Sequence, residues 1–154
     1  MIRRIDMEKQ VSQTVGFRNI VENGEVTGFQ FKVRLPYYRG VFLSQLRPGT
    51  VIIDGESISK DNVLWNIKGE DFTWEEMRHD FKTHWSVLTP AVIKVKKPGG
   101  LSQGYHDLTY GFSFTSSYMP PIMQNDEALD PDKESMIFMP EFGHHVNSRR
   151  MIIV

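Results

Sequence analysis

Along this chain apolar and polar residues alternate in short runs. Phe29, Phe31, Val33 and Leu35 share one parity, while Gln30, Lys32 and Arg34 take the other. A period of two marks a half-buried strand, and Pro36 ends its ladder because proline has no N–H to give. Val41-Phe42-Leu43 reads as a short strand. Val51–Ile53 and Glu56–Ile58 flank Asp54-Gly55, a dipeptide suited to the two positive-φ positions of a type I′ hairpin turn. Val63, Trp65 and Ile67 share one face of a further strand. Ala91, Ile93 and Val95 alternate with Val92, Lys94 and Lys96 before Lys97-Pro98-Gly99-Gly100 breaks the run. The next strand puts His106, Leu108, Tyr110, Phe112 and Phe114 on one parity, with Asp107, Thr109 and Ser113 on the other.

Helical signals are confined to one place. Thr73-Trp74-Glu75-Glu76 has the form of a capping box, with Phe72 and Met77 placed as a hydrophobic staple. This predicts one or two turns near Thr73–Phe81 and no long helix. The segment Gln124–Ser135 is rich in Asn, Asp and Glu and predicts a solvated loop. Ser135–Met139 and Met151–Val154 are candidates for terminal strands or partner contacts. Short strands with frequent turns and no βαβ rhythm predict an all-β fold: an antiparallel β-sandwich with one short helical segment, formed by residues 1–154 as a single domain.

Composition narrows the functions. Eighteen basic and nineteen acidic residues give a formal net charge of −1, so charge supplies no reason to expect a nucleic-acid or membrane partner. The chain has no cysteine, which excludes disulfides, thiolate metal sites and a cysteine nucleophile. Met1–Asp6 carries charges without the apolar run of a signal peptide, and no stretch is long and apolar enough to span a bilayer. The expectation is a cytoplasmic protein.

Candidate chemistry is sparse. The histidines are His79, His84, His106, His144 and His145. Neighbours on a strand face opposite sides, so His144 and His145 cannot converge on one ligand. The spacing of His79 and His84 suits neither a helical nor a strand ligand pair. His106 shares the apolar parity of its strand and reads as a hydrogen-bonded core histidine; no metal site is assigned to this chain. No serine lies in Gly-x-Ser-x-Gly. Gly99, Gly100 and Gly104 lack the lysine and helix of a phosphate loop and read as a hairpin connection. Glu75 and Glu76 already serve the capping box. Lys94, Lys96 and Lys97 read as a solvated edge that blocks aggregation. Catalytic residues are therefore unknown. Two aromatic–proline clusters stand out, Tyr37-Tyr38-Arg39 after Pro36 and Tyr118-Met119-Pro120 after Ser117. They read as rigid corners and as interface candidates, since Tyr, Met and Arg are enriched at interfaces; His144 and His145 join them as candidates.

At these clusters the chain resembles the C-glycoside deglycosidase β subunits. Gly28-Phe29-Gln30-Phe31-Lys32-Val33-Arg34-Leu35-Pro36-Tyr37-Tyr38-Arg39-Gly40, Asp54-Gly55-Glu56, the Thr73–Met77 segment, Lys97-Pro98-Gly99-Gly100-Leu101, Gly104-Tyr105-His106 and Ser117-Tyr118-Met119-Pro120 fit that pattern in order. The resemblance implies the small subunit of a heteromeric carbon–carbon lyase. Such an enzyme separates a 3-keto sugar from an aromatic, flavonoid-type aglycone by β-elimination, after a separate oxidoreductase has made the ketone. It also implies an α subunit similar to sugar isomerase and epimerase barrels, which holds a divalent metal, often manganese. This chain would hold no cofactor and be inactive alone. Two alternatives follow from the residues: a stand-alone carbohydrate-binding or scaffold sandwich using exposed Tyr37, Tyr38 or Tyr118, and a cupin-like metalloenzyme. The latter needs two histidines spaced on one strand, a pair the chain does not offer.

Overall fold

The computed structural model describes residues 11–115, 130–132 and 144–154. Its strands are β1 (Ser12–Glu22), β2 (Glu25–Val33), β3 (Val41–Phe42), β4 (Leu46–Pro48), β5 (Val51–Ile53) and β6 (Glu56–Ile58). They continue with β7 (Val63–Ile67), β8 (Glu70–Phe72), β9 (His84–Trp85), β10 (Ala91–Lys96), β11 (Gly104–Phe114) and β12 (His144–Ile153). A five-stranded sheet runs β1-β2-β10-β7-β8. A second runs β12-β11-β5-β6, with β4 also on β11, and β3 pairs β9 in a separate ribbon. The pairs are antiparallel, and among the described residues the sheets do not close into a barrel. The fold is the expected all-β sandwich.

The core forms because each alternating strand turns its apolar parity inward. Phe29, Phe31 and Val33 of β2, Val63, Trp65 and Ile67 of β7, and Ala91, Ile93 and Val95 of β10 are all buried. Leu108, Tyr110, Phe112 and Phe114 of β11 meet them from the opposite sheet. Phe31 packs edge-on to Tyr110 at 5.2 Å, and Trp65 to Phe112 at 5.5 Å. Trp65 Nε1 donates to the Tyr110 hydroxyl at 2.9 Å, so a buried polar pair ties the sheets together. Burial of that hydroxyl pushes its pKa well up, and it stays a neutral phenol.

Local signals act as their chemistry requires. Asp54 and Gly55 lie at φ 49° and 83°, the type I′ geometry between β5 and β6. Thr73 Oγ1 accepts the Glu76 N–H and Glu76 Oε1 accepts the Thr73 N–H, each at 3.2 Å. This capping box opens α1 (Trp74–Arg78), with Phe72 and Met77 both buried beneath it. Met151–Ile153 close β12 as a strand end.

Two expectations are corrected. Lys94 and Lys96 do not lie on an edge: β10 is the middle strand of its sheet, paired to both β2 and β7. Lys94 sits on the solvent face, bonded to Asp71 at 3.0 Å, and Lys97 binds Glu56 at 2.8 Å. Gly99 and Gly100 do not connect a hairpin. They carry the chain from one sheet to the other, from β10 to β11. Gly100 lies at φ 61°, and a β-carbon there would collide with Asn19 and Val26. Asn19 of β1 clamps the crossover, donating to the Leu101 carbonyl and accepting its N–H, both at 2.8 Å. The earlier expectations for Gln124–Ser135 and Ser135–Met139 fall almost wholly outside the described residues. Within the first, residues 130–132 are anchored by Thr50, whose N–H and hydroxyl both bind Asp132.

Candidate functional site

The corner after β2 is built by its own sequence. Pro36 ends the ladder, and the Tyr37 N–H turns back onto the Leu35 carbonyl at 2.9 Å. Tyr37 is buried, its ring 5.0 Å from Phe114, so it belongs to the core rather than to an open surface. Tyr38 is 63% exposed, and the Arg39 guanidinium lies over its ring at 5.1 Å. Gly40 lets the backbone press against β9, where a β-carbon would collide with the His84 ring and the Trp85 carbonyl. Beyond it the β3–β9 ribbon sets Phe42 against His84, ring centroids 5.3 Å apart.

The loop that follows α1 is held against this ribbon. Leu43 N–H donates to the Thr83 carbonyl and Ser44 N–H to the Asp80 carbonyl. Asp80 accepts the Lys82 and Thr83 N–H groups and the Thr83 hydroxyl at 2.7–2.9 Å. These bonds, the Thr83 hydroxyl foremost, hold its carboxyl below the usual range against the opposing effect of burial. The loop so fixed presents Phe81, 73% exposed, and the next turn presents Leu88, 88% exposed. Phe42 and His84 thus share the β3–β9 ribbon, with Tyr38 in the corner before it and Phe81 and Leu88 in the segments on either side of β9.

His106 supplies the other chemically distinctive cluster. Its Nδ1 lies 2.5 Å from Asp54 Oδ2 and its Nε2 2.7 Å from the Ser102 carbonyl. Both partners are acceptors, so both ring nitrogens carry protons and the ring is an imidazolium. Burial pushes the ring pKa down, but the Asp54 and Ser102 hydrogen bonds and the Asp54 and Asp107 charges outweigh it and hold it above its ordinary value. Asp54 is held below the usual carboxylate range, first by the His106 hydrogen bond and also by the Asp107 N–H. With no free lone pair, this ring cannot accept a proton from a substrate. It is the hydrogen-bonded core histidine that its strand parity indicates, pinning the β5–β6 turn to β11.

A shallow cleft of about 160 Å³ is lined by Arg47, Lys60, Trp74, Arg78 and Asp130 with two prolines. Pockets that engulf a drug-sized ligand span roughly 300–1,000 Å³, so this cleft does not enclose a whole glycoside. Among the described residues no three His, Asp or Glu side chains gather to hold a metal ion. Among the described residues no helix is long and apolar enough to cross a membrane.

Of the interface candidates, Tyr38 and Arg39 face outward and Tyr37 inward. Tyr118, Met119 and Pro120 lie outside the described residues. His144 and His145 open β12, their backbones opposite Ser113 and Phe112. Since Phe114 touches Tyr37, the start of β12 and the Tyr37 corner both adjoin the C-terminal end of β11. Sequence reasoning missed Phe42, Phe81 and Leu88. The available signal was a large apolar residue on the polar parity of a strand or in a turn.

These features define a two-sheet antiparallel sandwich with a fixed aromatic corner. The family model for the C-glycoside deglycosidase beta subunit matches residues 7–118, and the chain belongs to that family. It is 71% identical to the C-glycoside deglycosidase beta subunit of Eubacterium cellulosolvens, across 96% of this chain and 100% of that one. It is 29% identical to the beta subunit of that name from Microbacterium trichothecenolyticum, over 68% of this chain and 77% of the relative. A 3′-dehydrocarminate deglycosidase beta subunit of a Microbacterium species is 27% identical, over 71% and 83% respectively.

Proposed function

We propose that this chain is the small subunit of a heteromeric carbon–carbon lyase acting on 3-keto-C-glycosides with an aromatic, flavonoid-type aglycone. The family match over residues 7–118 carries this reading, and the relative named for a 3′-dehydro glycoside supports an oxidised sugar as substrate. A C3 ketone acidifies the C2–H. A base takes that proton, its electrons form the C1–C2 double bond, and the C1–aryl bond breaks as the aglycone carbon receives a proton. We assign the base and the divalent metal, manganese, to a barrel-type alpha subunit. This chain then contributes a rigid wall that fixes loops of the partner, a role with large consequences because small displacements of catalytic groups cost rate steeply. We place the complex in the cytoplasm, in keeping with a chain that lacks cysteine.

A stand-alone sugar-binding platform is less well supported. Tyr37 is turned inward, and Arg39 covers a face of Tyr38 that a sugar would need. Co-expression with the adjacent genes tests the proposal. The expected result is co-purification with a barrel protein, and aglycone release from a 3-keto-C-glycoside by the pair but by neither chain alone. Release by this chain alone, or failure of any barrel protein to co-purify, overturns it.

A further inference from the structure

The crossover from β10 to β11 is fastened by two different kinds of chemistry. At Leu101 the Asn19 amide accepts the N–H and donates to the carbonyl, at 2.8 Å each, and neither bond involves a titratable group. Gly104 then enters the ladder opposite Ile153. Between these points Ser102 and Gln103 are exposed, and the Ser102 carbonyl accepts the His106 Nε2–H at 2.7 Å. The other ring nitrogen is bound to Asp54 at 2.5 Å, so one imidazolium ties the crossover to the β5–β6 turn. From β1 the ring meets Phe17 at 6.4 Å, and on β12 it lies in register with Met151; neither of these titrates. The other charges nearby are already paired, Asp107 with Arg150 and Lys97 with Glu56.

We propose that His106 is a proton-controlled latch on this crossover: its imidazolium holds Ser102 and Gln103 closed, and loss of one proton releases them while Leu101 stays clamped. A neutral imidazole has one N–H and one lone pair, so it cannot serve two acceptors. The proton stays on Nδ1, because a hydrogen bond to a carboxylate is roughly twice as strong as one to a neutral acceptor. Asp54 is also kept in place by the Asp107 N–H at 2.8 Å. Nε2 then turns a lone pair toward the Ser102 carbonyl, and the two repel. Since Ser102 is exposed, its carbonyl turns to water. The release is confined, because the Asn19 bonds at Leu101 and the β11–β12 pairs from Gly104 onward do not depend on this proton. Gly104, at φ 117° with open space where a β-carbon would stand, supplies the swivel. Burial works against the charged ring, but the Asp54 and Ser102 hydrogen bonds outweigh it and hold the ring above its ordinary value. The latch therefore opens on the alkaline side of about pH 6.5.

The test uses the full chain labelled with nitrogen-15 and carbon-13, followed by NMR from about pH 5 to about pH 9. The His106 ring is expected to lose one proton with a midpoint above about 6.5 and to keep the proton on Nδ1. The Ser102 carbonyl resonance should shift with that same midpoint. The order parameter of the Gln103 amide should fall from about 0.85 to below about 0.6, while that of Leu101 stays unchanged. Asp54→Asn supplies the contrast, since its amide donates to Nδ1 and leaves the Nε2–H on Ser102. In that variant the Ser102 and Gln103 signals should hold steady between about pH 6.5 and about pH 9, although it is the less stable protein. A hydrogen bond with a purely structural role gives the opposite order, with the variant the looser of the two. A proton on Nε2 in the neutral ring of the parent overturns the latch. So does an unchanged Gln103 order parameter across the ring titration, equal loosening at Leu101, or the same pH response in Asp54→Asn. The readouts on the parent decide the matter by themselves if Asp54→Asn does not fold.

Discussion

Asp54→Asn is the most informative single change, because it removes a charge without removing the side chain. Asp54 accepts from two donors, the His106 ring at 2.5 Å and the Asp107 N–H at 2.8 Å. An asparagine retains one oxygen for the Asp107 N–H and turns its amide donor toward His106. The ring must then give up its Nδ1 proton and accept there, keeping its Nε2–H on the Ser102 carbonyl. A charge-assisted bond worth roughly 1.5–3 kcal/mol is replaced by a neutral one worth about 0.5–1.5. The Asp54 side chain is 48% exposed, so solvent screening places the difference near the low end, about 1 kcal/mol. In a domain of this length that is a fall of roughly 2–4 °C in Tm.

The same substitution removes a pH dependence of known sign. His106 titrates above its ordinary value in the folded chain. Its contribution is therefore complete below the unfolded value, about 6.5, and is lost as pH rises through the folded value. Asp54 titrates below its ordinary value, so its contribution is complete above about 3.9 and is lost as pH falls through the folded value. Both are complete between about pH 4 and pH 6.5. Tm measured by circular dichroism from about pH 5.5 to pH 8.5 should fall further in the parent than in Asp54→Asn, so the two curves converge at high pH. Parallel curves across that range would refute the imidazolium assignment.

Three further substitutions test the packing. Tyr110→Phe leaves the buried Trp65 Nε1 without its acceptor and should cost about 1–3 kcal/mol in urea unfolding; a loss below about 0.5 kcal/mol, the size of a neutral surface change, would show that the bond carries little. Asn19→Ala removes both bonds to Leu101 and should cost a similar 1–3 kcal/mol or so, with faster hydrogen exchange at the Leu101 amide. Gly40→Ala forces β3 away from β9 and should destabilise by about 1–3 kcal/mol, the usual cost of overpacking; an unchanged urea midpoint would contradict the close approach at that glycine.

The strands that were legible in the sequence are those with a single buried face. In β2, β7 and β10 each inward residue meets the opposite sheet and each outward one meets water, so the period of two survives intact. β1 was illegible because it does not keep its register. Gly16 lies at φ 87°, and the pairing with β2 shifts after Gln13 and again after Ile20. Within it only Ser12 and Phe17 are buried, a pattern with no clean parity. The lysines of β10 were legible as solvated but not as central. Alternation reports which face a residue occupies and is blind to which strands lie on either side.

The same limit explains why half of the corner was readable. Pro36 and Gly40 announce a stiff turn by their backbone chemistry, and tyrosines beside such a turn are visible as candidates. Their opposite orientations are not, because Tyr37 packs inward against Phe114, 77 residues further along the chain. Phe42, Phe81 and Leu88 come from three separate segments, and each alone reads as an ordinary exposed apolar residue of the kind every protein surface carries. Leu43 and Ser44 bond to the Thr83 and Asp80 carbonyls and so hold the Phe81 loop against the ribbon, contacts that no local pattern encodes.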